Sequence, residues 1–176
     1  MNAKFNLEVS EQIQKIDISI LKLCAKKGQP DAQFSLGMMY HKGEHVEQDY
    51  KLATKWYKSS ARKGNERAQA TLAFMYQKGY GVPKVYKNAV KWYKLAAEQG
   101  NAKSQFNLGL MYSKGHGVKK NNKMAVKWYI LSAEQGFEDA QFYLGNMYRK
   151  GLGVDKDNEI ATKWYTLSVL FREKRI

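Results

Sequence analysis

The apolar residues of this chain follow two helical patterns that alternate along its length. In the first pattern, Ala32, Leu36, Met39 and Tyr40 fall on one face of a helix predicted from about residue 31 to residue 41. A glycine-containing polar loop follows this helix, which we name helix A of the repeat. Such a short amphipathic segment can bury its apolar face only against a neighbouring element.

The second pattern, helix B, begins near Asp49 and has the same amphipathic character. Its apolar stripe consists of Ala53, Trp56, Tyr57 and Ser60, which stand at i, i+3, i+4 and i+7. A glycine then ends the helix and the first pattern starts again. The chain is therefore predicted to consist of helix pairs.

The helix pair recurs with a period of 36 residues. Its landmarks are Trp56, Trp92, Trp128 and Trp164, Tyr40, Tyr76, Tyr112 and Tyr148, and Gly28, Gly64, Gly100 and Gly136. A fixed period of this length is the signature of stacked repeats. We predict an all-α fold, an α/α solenoid of four repeats in one domain over residues 1–176, with repeats at about 28–63, 64–99, 100–135 and 136–171.

The two ends of the chain depart from the repeat. Residues 10–27 resemble a helix B alone, with Ser10 as a candidate N-cap and Ile20 and Cys24 on its apolar stripe, which predicts an N-terminal capping helix. At the other end the last helix lacks a glycine stop, and 172–176 form a basic tail. Leu170 and Phe171 either close the open edge of the core or contact a partner or a second copy.

Comparison of the four copies separates residues that build the repeat from residues that differ. The identical positions are Gln33, Leu36, Met39, Tyr40, Trp56 and Tyr57 with their equivalents. We interpret them as core, and expect the glutamine amide to bond to backbone. Position 37 is Gly37, Ala73, Gly109 or Gly145, and a small residue there allows a neighbouring helix to approach closely.

The net charge indicates which kind of partner the chain binds, and the cysteine content indicates in which cellular compartment it is found. The formal net charge is +14, from 30 Lys and Arg against 16 Asp and Glu, which favours acidic partners. Cys24 is the single cysteine, so no intramolecular disulfide can form. The absence of a signal-like or membrane-length apolar run adds to the expectation of a cytoplasmic protein.

The residues of known catalytic and metal sites are missing. The three histidines, His41, His45 and His116, have no acidic or cysteine companion at ligand spacing. The Gly-x-Gly loops lack the preceding strand and the following Lys-Ser/Thr of a phosphate-binding loop. We therefore expect no enzyme activity, no cofactor and no metal.

The repeat resembles a known family. The segments Ala140–Val154 (AQFYLGNMYRKGLGV) and Ala125–Gly136 (AVKWYILSAEQG) are similar to the Sel-one-like repeat, an α/α relative of the tetratricopeptide repeat. The resemblance implies a right-handed superhelix whose concave groove holds a protein partner, as in adaptors and scaffolds, some of them bacterial. His45 departs from the pattern, because the other copies have Gly81, Gly117 and Gly153 there.

By analogy with the tetratricopeptide repeat, the groove is expected to be lined by helix A positions that differ between copies. The candidate residues are Asp31, Phe34, Met38, His41, Lys42, Arg67, Phe74, Gln77, Lys78, Lys103, Phe106, Leu110, Ser113, Lys114, Phe142, Asn146, Arg149 and Lys150. They predict apolar patches beside a lysine ridge, suited to a protein with an acidic surface. The alternative is that the apolar members only pack against the next repeat.

Two other functions remain as alternatives to a scaffold. A small basic repeat protein could be an immunity-type protein that neutralises an acidic effector or toxin. The outer lysine row could instead follow a phosphate backbone, although no known nucleic-acid-binding motif accompanies it. That row is Lys55, Lys91, Lys127 and Lys163.

Overall fold

The computed structural model describes residues 17–173, with side chains through residue 170, and all regular secondary structure in that range is helical. The first helix, α1, is described over 17–26; the predictions for Ser10 and the rest of 10–16, and for the tail side chains, lie outside the described residues. The other helices are α2 (Pro30–Lys42), α3 (Tyr50–Arg62), α4 (Glu66–Lys78), α5 (Tyr86–Glu98), α6 (Ala102–Lys114), α7 (Asn122–Glu134), α8 (Glu138–Lys150) and α9 (Asn158–Glu173). The even-numbered helices α2, α4, α6 and α8 are helices A, and the odd-numbered helices α3, α5, α7 and α9 are helices B. The predicted alternation of helices is confirmed.

Three of the four helices B start at a polar side chain that caps them, whereas α5 starts after Val85 and has no side-chain cap. Asp49 precedes α3, and its carboxylate accepts a hydrogen bond from the backbone N–H of Leu52 at 2.9 Å. Asn121 does the same for α7, accepting from Met124 at 3.0 Å. Such a cap satisfies one of the free N–H groups of the first turn and contributes about 1 kcal/mol.

The predicted glycine stops adopt the left-handed conformation that ends a helix. Gly28, Gly64, Gly100 and Gly136 have φ between 80° and 98°. The last helix lacks such a glycine, and α9 runs for 16 residues where α2 to α8 have 13 each. The predicted extension of the last helix is therefore confirmed.

The small residue of helix A makes room for a tyrosine ring of helix B. A Cβ atom added to Gly109 would lie 2.6 Å from the ring of Tyr129, and one added to Gly145 would lie 2.7 Å from Tyr165. Both are shorter than any normal carbon–carbon contact. The second copy has Ala73 at this place, and it is fully buried.

The invariant glutamine joins each helix A to the helix B before it. In every copy its side-chain N–H donates to a backbone carbonyl eight residues earlier in the chain, at 3.1 Å. The pairs are Gln33 with Ala25, Gln69 with Ala61, Gln105 with Ala97, and Gln141 with Ala133. All four glutamines are at most 5% exposed, so the predicted bond of the buried amide to backbone is confirmed.

His45 adopts the backbone conformation that the other copies give to glycine. Its φ is 60°, whereas Gly81, Gly117 and Gly153 have φ of 65°, 74° and 77°. Left-handed backbone costs a residue with a Cβ atom about 1 kcal/mol, so the loop of the first copy is strained at His45. In the second copy a Cβ on Gly81 would also strike the carbonyl of Tyr50.

The chain divides into two compact units, Met1–Gln69 with Tyr80–Val82, and Ala70–Gly79 with Pro83–Ile176. In the first unit α2 packs against α3, and in the second each helix from α5 to α9 packs against the next. None of the described helices has the length and apolar character that crossing a membrane requires. A single domain over 1–176 stays a prediction.

The core of the first unit corrects one prediction. Ala25, Leu36 and Met39 are buried, and Ile18 packs against them. Ile20, which the sequence placed on the buried stripe, is 53% exposed. The stripe predicted from Ile20 was therefore wrong at that residue, because α1 turns the neighbouring position Ile18 toward α2.

Candidate functional site

The third and fourth copies surround an open cavity of about 430 Å³. Helices α6, α7 and α8 and the loops beside them supply its walls. We name this cavity the groove site. The residues that line it are Ser113, Lys120, Asn122, Tyr129, Phe142, Tyr143, Asn146, Met147, Lys150 and Leu152. Four of the predicted groove residues are among them, namely Ser113, Phe142, Asn146 and Lys150.

The floor of the groove site is polar because invariant tyrosines end there. The hydroxyl of Tyr129 lies 3.3 Å from that of Ser113, which also donates to the carbonyl of Leu110. The hydroxyl of Tyr165 donates to Oδ1 of Asn146 at 3.1 Å. Oδ1 of Asn146 also accepts from Arg149 at 3.2 Å, so this amide is held in place.

Burial keeps the phenol of Tyr129 neutral. Its pKa is raised to about 12, chiefly by desolvation, with the Ser113 hydrogen bond acting in the opposite direction and Tyr143 adding to the rise. The same burial raises the pKa of Tyr93 and of Tyr57. At neutral pH these side chains therefore present hydroxyl groups and not phenolates.

One wall of the groove site is aromatic and open to solvent. Phe142 is 51% exposed, and its ring lies 5.7 Å from that of Tyr165. Tyr143 stands beside it at 6.1 Å between ring centroids. Exposed rings held by other rings are the anchors that protein interfaces favour.

The charge at the groove site is positive. Lys120 and Lys150 line the cavity and both are exposed. None of its described lining residues is acidic. Arg149 lies near the same site, with its guanidinium 5.9 Å from the ring of Tyr165. An anionic group that enters this cavity is attracted by Lys120 and Lys150, and none of the described lining residues carries a carboxylate that would repel it.

Phe106 does not belong to the open surface on which the sequence placed it. Its ring is 8% exposed, because Tyr143, Phe137 and Tyr129 cover it at 5.3, 5.3 and 5.8 Å. Leu110 is part-buried and packs against the same cluster. For Phe106 the structure agrees with the alternative of packing between repeats.

The other predicted residues of the second unit lie apart from the cavity lining. Lys78 stands 5.7 Å from the ring centre of Phe74, which is 37% exposed. Gln77 accepts a hydrogen bond from the hydroxyl of Tyr93 at 2.8 Å. Lys103 and Lys114 are exposed.

In the first unit, the predicted residues on the outer part of α2 are engaged locally. Asp31 accepts a hydrogen bond from the side chain of Asn65 at 2.8 Å. Phe34 is 6% exposed, because the guanidinium of Arg67 covers its ring at 4.6 Å. Met38 is part-buried. Phe34 is therefore a covered residue, like Phe106.

His41 lies in an aromatic cluster of the first unit. Its ring is 5.2 Å from Tyr50 and 6.2 Å from Tyr57, and its Nδ1 is buried without a hydrogen-bond partner in the described part of the chain. Burial, followed by the charge of Lys42, lowers the pKa of His41. Lys42 itself pairs with Glu44 at 3.1 Å in a half-exposed ion pair of little energy.

A cavity of about 630 Å³ lies in the same unit. Glu47 and Asp49 are among its lining residues, so its charge differs from that of the groove site. Among the described residues, no group of three or more His, Cys, Asp or Glu side chains is placed to hold a metal ion.

The sequence does not single out six of the ten residues that line the groove site, among them Tyr143 and Tyr129. Tyr143 occupies a position that is Ser35, Thr71 and Asn107 in the other copies, so its variation was a usable signal. Because Tyr129 is invariant among the four copies, the sequence indicates a core residue. Its ring is core, but its hydroxyl forms part of the floor.

Repeated helix pairs, joined by the same buried hydrogen bond, define an α/α repeat protein. The Sel1 repeat family matches this chain in four consecutive copies, at residues 30–65, 67–101, 102–137 and 138–169. The chain belongs to the Sel1 repeat family. Proteins of this family generally mediate protein–protein interaction, and the fold is typically non-catalytic.

Two solved structures share the fold at a TM-score of 0.84. A Sel1 repeat protein from Oxalobacter formigenes is 36% identical, and the match covers 88% of this chain and 63% of that one. The protective antigen c5321 of uropathogenic Escherichia coli, which displays an SLR fold, is 39% identical, with 86% and 32% covered. This chain thus spans less than two thirds of the length of either protein. No curated protein matches it.

An immunity protein, Pa5087 from Pseudomonas aeruginosa, is a more distant structural neighbour. It is 18% identical with a TM-score of 0.46, and the match covers 87% of this chain and 72% of that one. At that distance the likeness has no bearing on function.

Proposed function

We propose that this chain is a non-catalytic scaffold or adaptor that binds a protein partner at the groove site. The observation that carries the proposal is the combination found there of exposed aromatic rings, fixed hydroxyl and amide groups, and lysines without a lining carboxylate. This combination suits a protein segment and offers no nucleophile with an adjacent base.

The partner segment should carry an acidic residue next to an apolar one. Phe142 and Leu152 offer apolar contact area, and both are at least 40% exposed. Lys120 and Lys150 would attract the carboxylate and orient the segment. The side chains of Ser113 and Asn146 in the polar floor would form hydrogen bonds with the backbone of the segment.

Charge along the chain supports an acidic partner. Between residues 67 and 133 the sequence has twelve Lys and Arg and a single acidic residue, Glu98. The groove site begins within this stretch, at Ser113 and Lys120. A strongly one-signed surface raises the rate at which an oppositely charged partner arrives.

Capture of partners from the native host, followed by binding measurements with the captured protein, tests the proposal. Lys150→Glu should weaken binding by about tenfold or more, which corresponds to about 1.4 kcal/mol. Lys114→Glu is the matched control, because Lys114 is the equivalent lysine of the third copy and does not line the cavity. Asn146→Ala should also weaken binding while the helical circular dichroism stays unchanged.

The comparison between the two lysines decides the outcome. Equal weakening by both substitutions would reduce the effect to net charge and would contradict a partner at the groove site. An acidic toxin among the captured proteins would identify the chain as an immunity-type protein. Bound nucleic acid, released by salt, would replace the protein partner altogether.

A further inference from the structure

Ser113 presents only a hydrogen-bond acceptor to the groove site. Its hydroxyl has one proton, which it donates to the carbonyl of Leu110 at 3.1 Å. In the contact with Tyr129 at 3.3 Å the phenol is therefore the donor, and it uses one of the two lone pairs of the serine oxygen. The second lone pair has no partner in the described part of the chain. A group that binds there must bring an N–H or an O–H.

Asn146 presents only a hydrogen-bond donor. Its Oδ1 accepts from Arg149 at 3.2 Å and from the hydroxyl of Tyr165 at 3.1 Å, which uses both lone pairs. Because a guanidinium can only donate, these contacts also determine which end of the amide is the oxygen. One N–H of Nδ2 is donated to the carbonyl of Phe142 at 3.1 Å. The other N–H has no partner among the described residues, so a group that binds there must bring an acceptor.

The other polar side chains that line the groove site have no fixed polarity of this kind. Lys120 and Lys150 are exposed, so their ammonium groups lie on the solvent side of the cavity. Asn122 is part-buried, but no hydrogen bond to a described residue holds its amide, so it can offer either a donor or an acceptor. The fixed polar pattern of the floor is therefore one acceptor, from Ser113, and one donor, from Asn146.

This pattern belongs to the third and fourth copies alone. The residues equivalent to Asn146 in the earlier copies are Met38, Phe74 and Leu110, and those equivalent to Ser113 in the other copies are His41, Gln77 and Arg149. None of the first three has an amide, and arginine cannot accept a hydrogen bond. Because the invariant positions build the repeat, a polar pattern that occurs in one place is free to serve recognition.

An extended peptide chain supplies the complementary pair of groups. In such a chain the N–H and the C=O of one residue are both free and point to the same side. In an α-helix these groups are bonded to each other, except in the end turns. A helix that covered the floor would separate Ser113 and Asn146 from water and leave both without a partner, which is unfavourable. A carboxylate could accept from Asn146, but it has no proton to donate to Ser113.

We propose that one residue of an extended partner segment binds at the floor of the groove site, with its backbone N–H donated to Ser113 and its C=O accepting from Asn146. This inference rests on the proposed function, because it assigns the backbone contacts of the same partner. The acidic side chain of the segment lies above the floor, beside Lys120 and Lys150. The floor therefore selects an extended segment over a helix and over a carboxylate group.

Two synthetic peptides with blocked ends separate the backbone contacts from the charge contacts. They have the same length, and one alternates leucine with aspartate while the other alternates leucine with threonine and is neutral. Binding to the 176-residue chain is followed by NMR at millimolar peptide. The free N–H of the Asn146 side chain should move downfield with both peptides, because it gains a hydrogen bond in each complex.

Substitutions in the floor and beside it should have different effects. Ser113→Ala and Asn146→Ala should each weaken both peptides by about threefold to tenfold, the usual effect of one lost hydrogen bond. Lys150→Glu should weaken the aspartate peptide only. Asn107→Ala is the matched control, because Asn107 also donates to the carbonyl four residues earlier, that of Lys103 at 2.9 Å, and does not line the cavity.

Changes in the peptide test the conformation of the segment. An ester placed at each amide in turn removes one N–H at a time, and one of these esters should weaken binding to the native chain. The same ester should have little further effect on Ser113→Ala, as expected when both changes remove one contact. A helical form of the aspartate peptide, linked between side chains at i and i+4, should bind at least about tenfold more weakly than the linear form.

The proposal is overturned if neither peptide moves the Asn146 side-chain signal, or if the helical form binds as tightly as the linear one. It is also overturned if Ser113→Ala and Asn146→Ala weaken the aspartate peptide alone, because the floor would then bind the carboxylate. A response to Lys150→Glu without a response to the floor substitutions would remove this inference and keep the proposed function. The reverse result would keep the backbone contacts and remove the acidic partner.

Discussion

The hydroxyl of Tyr129 lies 3.3 Å from the hydroxyl of Ser113, and this contact joins an invariant core residue to a variable surface position. Tyr93 makes the equivalent contact with Gln77 at 2.8 Å. Each tyrosine is buried, and its hydroxyl contacts a side chain that lies nearer to the surface. The tyrosine is the same in each copy, whereas the residue that contacts its hydroxyl differs, for example Ser113 in the third copy and Gln77 in the second.

This arrangement predicts delayed ionisation of the buried phenols. Burial raises the pKa of Tyr129 to about 12, from 10.0 in an exposed tyrosine. The folded state therefore favours the neutral phenol, and its contribution to stability is complete below pH 10 and is lost as the pH rises through about 12. Absorbance at 295 nm and circular dichroism, followed together from pH 9 to pH 13, measure both effects.

The three buried phenols Tyr57, Tyr93 and Tyr129 should ionise only as helicity is lost. Tyr129→Phe removes one of these phenols and is the control. Ionisation of all tyrosines in a single step near pH 10 with the fold intact would contradict the burial of these hydroxyls.

Ser104→Ala should stabilise the protein by about 1–2 kcal/mol. The hydroxyl of Ser104 is buried without a hydrogen-bond partner among the described residues, and an unsatisfied buried group costs about 1–3 kcal/mol. The other copies have alanine there, at Ala32, Ala68 and Ala140. Urea unfolding monitored by circular dichroism gives the difference in the free energy of unfolding.

Ser132→Ala is the opposing control. The hydroxyl of Ser132 donates to the carbonyl of Ala102 at 2.7 Å, and both serines are fully buried in helices. Loss of this bond, about 1 kcal/mol, exceeds the gain of about 0.5 kcal/mol in helix propensity. The two substitutions should therefore have opposite signs, and equal effects would disprove the difference in hydrogen bonding.

Gly109→Ala should destabilise the protein by up to about 2 kcal/mol, although alanine is the better helix former. The new methyl would lie 2.6 Å from the ring of Tyr129, which is fully buried and cannot move aside without disturbing the core. Overpacking of this kind costs about 1–3 kcal/mol, against a gain of about 1 kcal/mol in helix propensity. Thermal unfolding measures the balance.

The second copy offers the reverse substitution as a control. Ala73 is fully buried at the position equivalent to Gly109. Ala73→Gly should also destabilise, by about 1–2 kcal/mol, because it loses a buried methyl and a favourable helix residue. If Gly109→Ala or Ala73→Gly stabilised the chain, the close fit between helix A and the tyrosine ring would not explain why these copies differ at this position.

His41 should make the first unit sensitive to mild acid. Burial, and then the charge of Lys42, lowers the pKa of His41 below 6.5. The folded state therefore favours the neutral ring, so the contribution to stability is complete above pH 6.5 and is lost as the pH falls through the lowered pKa. His41→Gln, which introduces the residue of the second copy, should reduce the loss of unfolding free energy between pH 7 and pH 5. An unchanged pH profile would contradict this role.

The sequence predicts the helices well because their signals repeat four times. Asp49 marks a helix start, Gly64 marks a helix end, and Gln33 reports a buried bond, each through elementary helix chemistry. The interval of 36 residues allows each weak signal to be checked in the other copies. The extension of α9 follows from the same logic, since the position of the missing glycine is occupied by Arg172.

The groove is harder to predict because burial there depends on which side chain stands on the next helix. Phe106 is covered because Tyr143 follows it, and Phe34 is covered because Arg67 lies over its ring. Phe142 occupies the same register and remains open. No property of a phenylalanine position within its own helix distinguishes these three cases, and only the packed structure does.

The bond from Gln105 to the carbonyl of Ala97 spans the boundary between one 36-residue unit and the next, and it has the same length in all four copies. Each 36-residue unit contains one such glutamine near its start and one such alanine near its end, for example Gln105 and Ala133. A gene duplication or deletion of 36 codons would therefore create a new junction that already contains its buried hydrogen bond.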